Sequence, residues 1–115
     1  MRKILFVCHG NICRSAMAES MFRQMLRERG IGEVVVDSAA TSREEIGNYM
    51  YPPAQAKLRE KQVPVGEHRA RQLVREDYEA CDWLIGMDAA NMRNMARICG
   101  GDPAEKMHRL LELAG

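Results

Sequence analysis

The sequence lacks long apolar runs and has no excess of charge of either sign. No stretch approaches the roughly 20 consecutive apolar residues that a membrane-spanning helix needs. The first residues also lack the longer apolar segment and the cleavage site of a signal peptide. Seventeen lysines and arginines face 16 aspartates and glutamates, so the net charge of +1 gives no electrostatic reason to expect a nucleic acid partner. These absences predict a cytoplasmic protein that binds neither membranes nor nucleic acids.

The four cysteines lack the spacing of the two usual structural roles. The four residues Cys8, Cys13, Cys81 and Cys99 fit neither a disulfide framework nor a four-ligand zinc site, and no metal or other cofactor is expected. In a reducing compartment they should be thiols. Cys81 and Cys99 have apolar neighbours near predicted helix ends and are expected in the core, which leaves Cys8 and Cys13 as candidates for chemistry.

Short apolar segments alternate with amphipathic helical patterns along the 115 residues. The predicted strands are residues 3–7, 34–36 and 83–87, and the predicted helices are residues 15–29, 54–61 and 89–98. The apolar face of the first helix is predicted to consist of Ala18, Met21, Phe22, Met25 and Leu26. This alternation predicts one α/β domain over residues 1–115, with an open, twisted, doubly wound parallel sheet of about four strands and helices on both faces. We expect a monomer or a weak dimer.

The last segment permits two interpretations. Asp102-Pro103-Ala104-Glu105 resembles a helix capping box with proline at the first helical position, and apolar residues recur at helical spacing after it. A fourth strand at residues 107–111 would instead complete the sheet. Periodicity favours the helix, but the sequence leaves the choice open.

A short segment between the first predicted strand and helix has the features of an oxyanion site. It reads Cys8-His9-Gly10-Asn11-Ile12-Cys13-Arg14-Ser15. The carboxyl end of a strand is where ligands bind in an open parallel sheet. A loop that ends in a helix N-terminus points backbone N–H groups inward, and the helix dipole adds positive potential. Gly10 and Asn11 are able to adopt the left-handed backbone angles of a tight cradle.

Arg14 and Cys8 add chemistry to this phosphate-binding loop. The planar guanidinium of Arg14 is able to bind two phosphate oxygens at once. The sulfur of Cys8 would lie near the centre of the positive field, which stabilises a thiolate as it stabilises phosphate and therefore lowers a thiol pKa. The predicted reaction is in-line attack of the sulfur on phosphorus, which gives a phosphocysteine intermediate.

At these residues the sequence resembles the low-molecular-weight protein tyrosine phosphatases, whose signature is Cys-x5-Arg-Ser near the N-terminus. The likeness covers nearly the whole chain. Further segments similar to family segments, in the same order, are Asp37-Ser38-Ala39-Ala40-Thr41-Ser42, Glu45-Ile46-Gly47-Asn48, His68-Arg69-Ala70-Arg71-Gln72-Leu73 and Met87-Asp88. The resemblance implies a flavodoxin-like fold. It also implies phosphotyrosine proteins or aryl phosphates as substrates and inorganic phosphate as a ligand.

The resemblance also assigns catalytic roles. Cys8 would be the nucleophile, Arg14 the ligand of the phosphate and the transition state, and Ser15 the hydroxyl that stabilises the thiolate leaving in the second step. Cys13 corresponds to the family's second loop cysteine, which forms a protective disulfide with the nucleophile under oxidation. Inert packing beside the helix is the alternative for Cys13.

Three residues are implied as supports of the loop. Asn11, Ser38 and His68 would form the hydrogen-bond network that holds it rigid. The alternative for His68 is a surface residue, because residues 67–71 also have the pattern of a solvated, mostly basic face.

Two features depart from the family pattern. Glu44 stands where family members often have an aromatic wall beside the substrate ring, and Tyr49 or Tyr51 from the same loop would substitute. The family's general acid lies in an Asp-Pro loop beyond the segment that residues 107–111 resemble, whereas the sequence ends at Gly115 and Asp102-Pro103 precedes that segment. We therefore expect the N-terminal three quarters of the family domain, without its last helix, and poor hydrolysis of phosphotyrosine.

Two other functions remain open. A thiol-dependent arsenate reductase on a similar fold would need further cysteines that relay a disulfide, and Cys81 and Cys99 are poor candidates because their neighbours are apolar. A non-catalytic module that binds phosphate or phosphotyrosine is the alternative of a different class.

Overall fold

The computed structural model describes residues 2–114. Within this range the strands are β1 (Arg2–Cys8), β2 (Val34–Ala40), β3 (Trp83–Gly86) and β4 (Met107–Arg109). The helices are α1 (Arg14–Glu28), α2 (Pro52–Glu60), α3 (Glu76–Ala80), α4 (Ala89–Cys99) and α5 (Leu110–Ala114). In this described part of the chain, no helix combines the length and the apolar character needed to span a membrane.

The strands form one parallel sheet in the order β2-β1-β3-β4, which confirms the predicted open α/β sheet of four strands. Because β1 lies between β2 and β3, the segments that follow these three strands meet at the carboxyl edge of the sheet. Cys8 ends β1 and pairs with Ala40, the last residue of β2. The candidate loop therefore lies at the edge where ligands bind in such sheets.

Helices cover both faces of the sheet, as predicted. Successive side chains of β1 point to opposite faces. Leu5 and Val7 pack on one face in a cluster that contains Met95 of α4. Phe6 points to the other face and packs edge-on against Phe22 of α1, with 5.8 Å between the ring centroids.

The contact face of α1 is narrower than predicted. Ala18, Phe22 and Leu26 pack on the sheet, whereas Met21 and Met25 are 40% and 44% exposed. The two methionines line an open apolar groove of about 490 Å³. Both methionines therefore lie on the apolar side of α1, beside Phe22, but are not buried against the sheet.

Two predicted elements, β2 and α2, differ from the structure by more than one residue at one end, and one short helix was not predicted. β2 continues to Ala40, four residues beyond the predicted strand, because residues 37–40 pair with residues 5–8 of β1. The five-residue helix α3 was not predicted. α2 begins at Pro52, earlier than predicted, because proline suits the first turn of a helix.

The segment after Asp102 does not begin a helix. The carboxylate of Asp102 accepts hydrogen bonds from Tyr78 Oη at 2.7 Å and from the backbone N–H groups of Lys106 and Met107 at 2.8 Å and 3.2 Å. These bonds turn the chain into β4, and a helix begins only at Leu110. The prediction of a capping box is therefore wrong, because apolar spacing over so few residues does not separate a strand followed by a helix from one continuous helix.

Candidate active site

Residues 8–15 connect β1 to α1 in a tight loop that surrounds the side chain of Cys8. The cysteine is 3% exposed. The backbone N–H groups of Asn11 and Ser15 donate to its Sγ at 3.3 Å and 3.4 Å, and Ser15 Oγ lies 3.0 Å from the same sulfur. Three polar groups from one loop therefore converge on one sulfur atom.

The loop closes around the sulfur because Asn11 adopts a left-handed backbone conformation, with φ of 59°. Asparagine tolerates this region better than most other residues that carry a side chain. α1 follows at Arg14, and its first turn contains no acidic residue, so no carboxylate there offsets the positive end of the helix dipole. The N–H groups and the dipole together favour negative charge on the sulfur and on a bound oxyanion.

The side chain of Asn11 sets the direction of the hydrogen bonds inside the loop. It is fully buried. Its Oδ1 accepts a bond from the backbone N–H of Arg71 at 3.1 Å, and its Nδ2 donates to Ser15 Oγ at 2.8 Å. Because Ser15 Oγ receives this bond, its own proton is free to point toward the sulfur of Cys8. The series of donors therefore ends on the sulfur.

His68, Glu19 and Ser38 support the loop through a second set of contacts. His68 Nε2 donates to the backbone O of Asn11 at 2.7 Å, and its Nδ1 lies 3.6 Å from Glu19 Oε1. Ser38 Oγ donates to the same carboxylate, and Arg23 Nη2 donates to its other oxygen. Ser38 therefore reaches the loop through Glu19 and His68.

The contact between Glu19 and His68 shifts both pKa values. Burial alone would raise the pKa of Glu19, but hydrogen bonds from His68, Ser38 and Arg23 outweigh it and bring the pKa from 4.5 to about 2. Burial lowers the pKa of His68, yet its bonds to Glu19 and to the carbonyl of Asn11 raise the pKa overall. The site thus favours a doubly protonated imidazolium, with one N–H directed at each neighbour.

Arg14 lies at the mouth of the loop, where its side chain is 49% exposed. Its Nη1 donates to Asp88 Oδ2 at 2.9 Å. Asp88 is the N-cap of α4, because its Oδ1 accepts from the backbone N–H of Asn91 at 2.8 Å. The bonds from Asn91 and Arg14 hold the pKa of Asp88 below its ordinary value. Asp88, in the turn after β3, therefore holds one edge of the Arg14 guanidinium. The other N–H groups of the guanidinium are able to donate to an oxyanion.

Exposed side chains form the rim around the loop. Glu44 Oε2 lies 3.1 Å from Nε2 of His9. The guanidinium of Arg69 stacks over the ring of Tyr49, 4.5 Å from its centroid. Tyr49 and Tyr51 are 57% and 49% exposed. All three candidate wall residues, Glu44, Tyr49 and Tyr51, are therefore solvent-exposed side chains.

A sequence model of the family described as low molecular weight phosphotyrosine protein phosphatase matches residues 3–114. The chain belongs to this family. It is 42% identical to the human low molecular weight phosphotyrosine protein phosphatase over 97 residues, which are 84% of this chain and 61% of the human one. The chain thus spans less than two thirds of the length of that relative.

Two bacterial relatives of known structure have the same fold. The crystal structure of YfkJ from Bacillus subtilis superposes with a TM-score of 0.94 at 36% identity, over 97% of this chain and 71% of that one. A structure of the YwlE arginine phosphatase, in a mutant form that carries a phosphorylated active-site serine, gives a TM-score of 0.87 at 30% identity over 96% and 70%. The fold of this chain is therefore that of low molecular weight phosphatases.

The remaining cysteines of this family member differ in their surroundings. Cys13 is an exposed thiol at the N-cap position of α1. Cys81 and Cys99 are 2% and 6% exposed and lie in the core, as predicted. Burial raises the pKa of both core thiols, so they are poorly suited to thiol exchange. This argues against the disulfide relay of an arsenate reductase.

Two residues of the phosphatase fold that support the loop were not recognised in the sequence. Glu19 lies four residues after Ser15 on the same side of α1, and an acidic residue at a buried helical position was the available signal. Arg71 belongs to residues 67–71, which were expected to be a solvated face. Instead Arg71 is half-buried between Asp37 and Asp77. No local sequence pattern indicates contacts between residues so distant along the chain. Residues 2–114 contain no cluster of three side chains suited to a metal ion.

Proposed function

We propose that this chain is a protein tyrosine phosphatase that hydrolyses phosphotyrosine and other aryl phosphates through a phosphocysteine intermediate. The observation that carries the proposal is the convergence of two backbone N–H groups and the Ser15 hydroxyl on the sulfur of Cys8. Together with the guanidinium of Arg14, this arrangement suits attack on a phosphate dianion. The names of the relatives support the same activity.

In the first step, the Cys8 thiolate attacks phosphorus in line with the ester bond. The new S–P bond forms as the P–O bond to the aryl group breaks, and the aryl oxygen leaves with the bonding electron pair. Loop N–H groups and Arg14 stabilise the charge on the three equatorial oxygens. The loop needs little rearrangement, because its donors already face the sulfur.

In the second step, water attacks phosphorus and the S–P bond breaks. The electron pair of that bond returns to sulfur as a thiolate, and both protons of the water leave with inorganic phosphate. The hydroxyl of Ser15, 3.0 Å from the sulfur, stabilises the returning thiolate. Ser15 therefore serves the step in which sulfur is the leaving group.

The leaving phenolate in the first step needs a proton, since its conjugate acid has a pKa of about 10. Asp88 is the carboxylate in contact with Arg14, but that contact lowers its pKa, which disfavours proton donation near neutral pH. A polypeptide of these 115 residues should therefore prefer activated aryl phosphates, whose leaving groups need no proton. Phosphotyrosine should be hydrolysed more slowly.

The chain acts as one α/β domain in the cytoplasm. Tyr49 and Tyr51 flank the substrate ring, with Glu44 and His9 at the same rim. The exposed Cys13 is the candidate redox partner of Cys8, because a resolving thiol beside a thiolate protects it from irreversible oxidation.

A direct test compares the wild-type chain with the Cys8→Ser variant on p-nitrophenyl phosphate, a phosphotyrosine peptide and a phosphoarginine peptide. Phosphate binding is measured in parallel by titration calorimetry. Wild-type turnover that is lost in the variant, with phosphate binding kept, supports the phosphatase. Binding without turnover in both forms supports the non-catalytic module, and arsenate-dependent thiol consumption supports the reductase.

A further inference from the structure

The guanidinium of Arg71 joins three parts of the fold. It forms a bidentate pair with Asp77 of α3, with Nη1 to Oδ2 at 3.1 Å and Nη2 to Oδ1 at 3.2 Å. Its Nη2 also donates to Asp37 Oδ2 of β2 at 3.1 Å. The Asp77 carboxylate in turn accepts from the backbone N–H of Val74 at 2.9 Å. Residues 71–74 are therefore fixed to both β2 and α3.

The backbone of Arg71 is fixed by the same arrangement. The backbone N–H of Ala40 donates to the O of Arg71, and the N–H of Leu73 donates to the O of Ala40, both at 2.7 Å. Residues 71–73 thus pair alongside Ala40, the last residue of β2, in an isolated parallel bridge. The remaining polar group of the Arg71 backbone is its N–H, which donates to Asn11 Oδ1 at 3.1 Å.

This N–H decides which end of the Asn11 amide faces Ser15. With Oδ1 engaged by the N–H of Arg71, Nδ2 donates to Ser15 Oγ, and the serine proton turns toward Cys8. A rotated amide would present its oxygen to Ser15, which would then donate its proton to the amide and not to the sulfur. The sulfur would lose one of its three donors.

We propose that Arg71 is a positioning residue for the phosphate-binding loop. Its guanidinium, held between Asp37 and Asp77, keeps its own N–H on the Asn11 amide and thereby directs the Ser15 hydroxyl to the sulfur. The kinetic consequence of this inference rests on the proposed phosphatase function, whereas the effect on the thiolate does not. Networks of this kind transmit a change at one member to the others because each bond fixes the direction of the next.

The test compares Arg71→Gln with Arg97→Gln, which removes an exposed arginine of α4 that bonds only to Asn94 among the described side chains. The rate at which iodoacetamide alkylates Cys8 is measured from pH 5 to 9 by mass spectrometry, because this reports the thiolate without any turnover. For Arg71→Gln we expect the half-maximal rate to move about one pH unit higher. We also expect kcat on p-nitrophenyl phosphate to fall roughly tenfold, with KM changed less than about threefold.

Arg71→Lys supplies one point charge that cannot pair with both carboxylates in the same geometry, so an intermediate profile is expected. A folded Arg71→Gln protein with a lower unfolding temperature but the wild-type alkylation profile would overturn the proposal, because a purely structural role predicts that result. If Arg71→Gln does not fold by circular dichroism, Asp37→Asn decides: a smaller shift in the same direction supports the proposal, and no shift overturns it. A wild-type chain without turnover refutes the phosphatase, while the alkylation profiles still decide the role of Arg71.

Discussion

The imidazole of His68 donates a hydrogen bond to the backbone carbonyl of Asn11 at 2.7 Å, although 57 positions separate the two residues. On its other side the ring faces the buried carboxylate of Glu19. The left-handed residue of the loop is thus held by a charged group that is itself held by α1. Support of the loop and stability of the fold therefore depend on the same ion pair.

The first prediction concerns pH. The folded pKa of His68 is raised, so its stabilisation is complete below the ordinary value of 6.5 and is lost as pH rises through the folded value. The folded pKa of Glu19 is lowered, so its stabilisation is complete above 4.5 and is lost as pH falls toward about 2. Urea unfolding should show a plateau of stability between these limits. His68→Asn should abolish the decline above pH 6.5, and equal slopes in both proteins would contradict the ion pair.

The second prediction concerns Glu19 itself. Glu19→Gln removes the charge that faces His68 and Arg23, so the free energy of unfolding should fall by about 3 kcal/mol at pH 7. The matched control is Glu28→Gln on the exposed end of the same helix, where a change within about 0.5 kcal/mol is expected. Similar values for the two variants, measured by urea denaturation, would show that Glu19 does not hold a buried charge network.

The third prediction concerns the ion pair between Arg14 and Asp88. Asp88→Asn keeps a good N-cap for α4 but removes the ion pair with Arg14. Since both side chains are well exposed, kcat/KM on an aryl phosphate should fall only about two- to fivefold. Glu33→Gln, which removes an exposed carboxylate before β2, should leave kcat/KM unchanged. An unaltered value in Asp88→Asn would show that the pair does not orient the guanidinium.

The fourth prediction concerns the leaving group. For this 115-residue polypeptide, log kcat/KM plotted against the pKa of the leaving phenol should have a steep negative slope, because kcat/KM reports the first step and Asp88, the carboxylate that contacts Arg14 among residues 2–114, has a lowered pKa. Phosphotyrosine peptide and p-nitrophenyl phosphate are the end points of the series. A flat plot across substituted phenyl phosphates would mean that a proton donor acts in the first step.

The parts of the site that lie close together in sequence could be predicted, and the parts assembled from distant segments could not. The loop is local, because a strand, a left-handed residue and a helix N-terminus bring Cys8, Asn11 and Ser15 together within eight positions. Alternating strands and helices likewise predicted the parallel sheet. Arg71, by contrast, contacts Asp37 and Asn11 only after the chain has formed β2 and α2. In the sequence it stands in a mostly basic run, which is typical of a solvent-exposed surface.

The C-terminal segment shows a second limit of prediction from the sequence, namely the choice between a strand and a helix. Residues 102–114 have the apolar spacing of a helix, yet Asp102 uses its carboxylate to bind Tyr78 and to start β4. Pairing with β3 outweighs local helical preference over three residues. Such a choice depends on the partner strand, which no local pattern contains.

Covalent catalysis by Cys8 is tested most directly by trapping the phosphocysteine. The chain is mixed with p-nitrophenyl phosphate, quenched in acid within milliseconds and digested with trypsin, and the peptide of residues 4–14, which contains Cys8 and Cys13 but not Ser15, is sequenced by mass spectrometry. We predict one phosphoryl group, located on Cys8 and absent from the same peptide of Cys8→Ala. Release of p-nitrophenol without any phosphoryl group on that peptide, or with the group on another residue, would contradict the account.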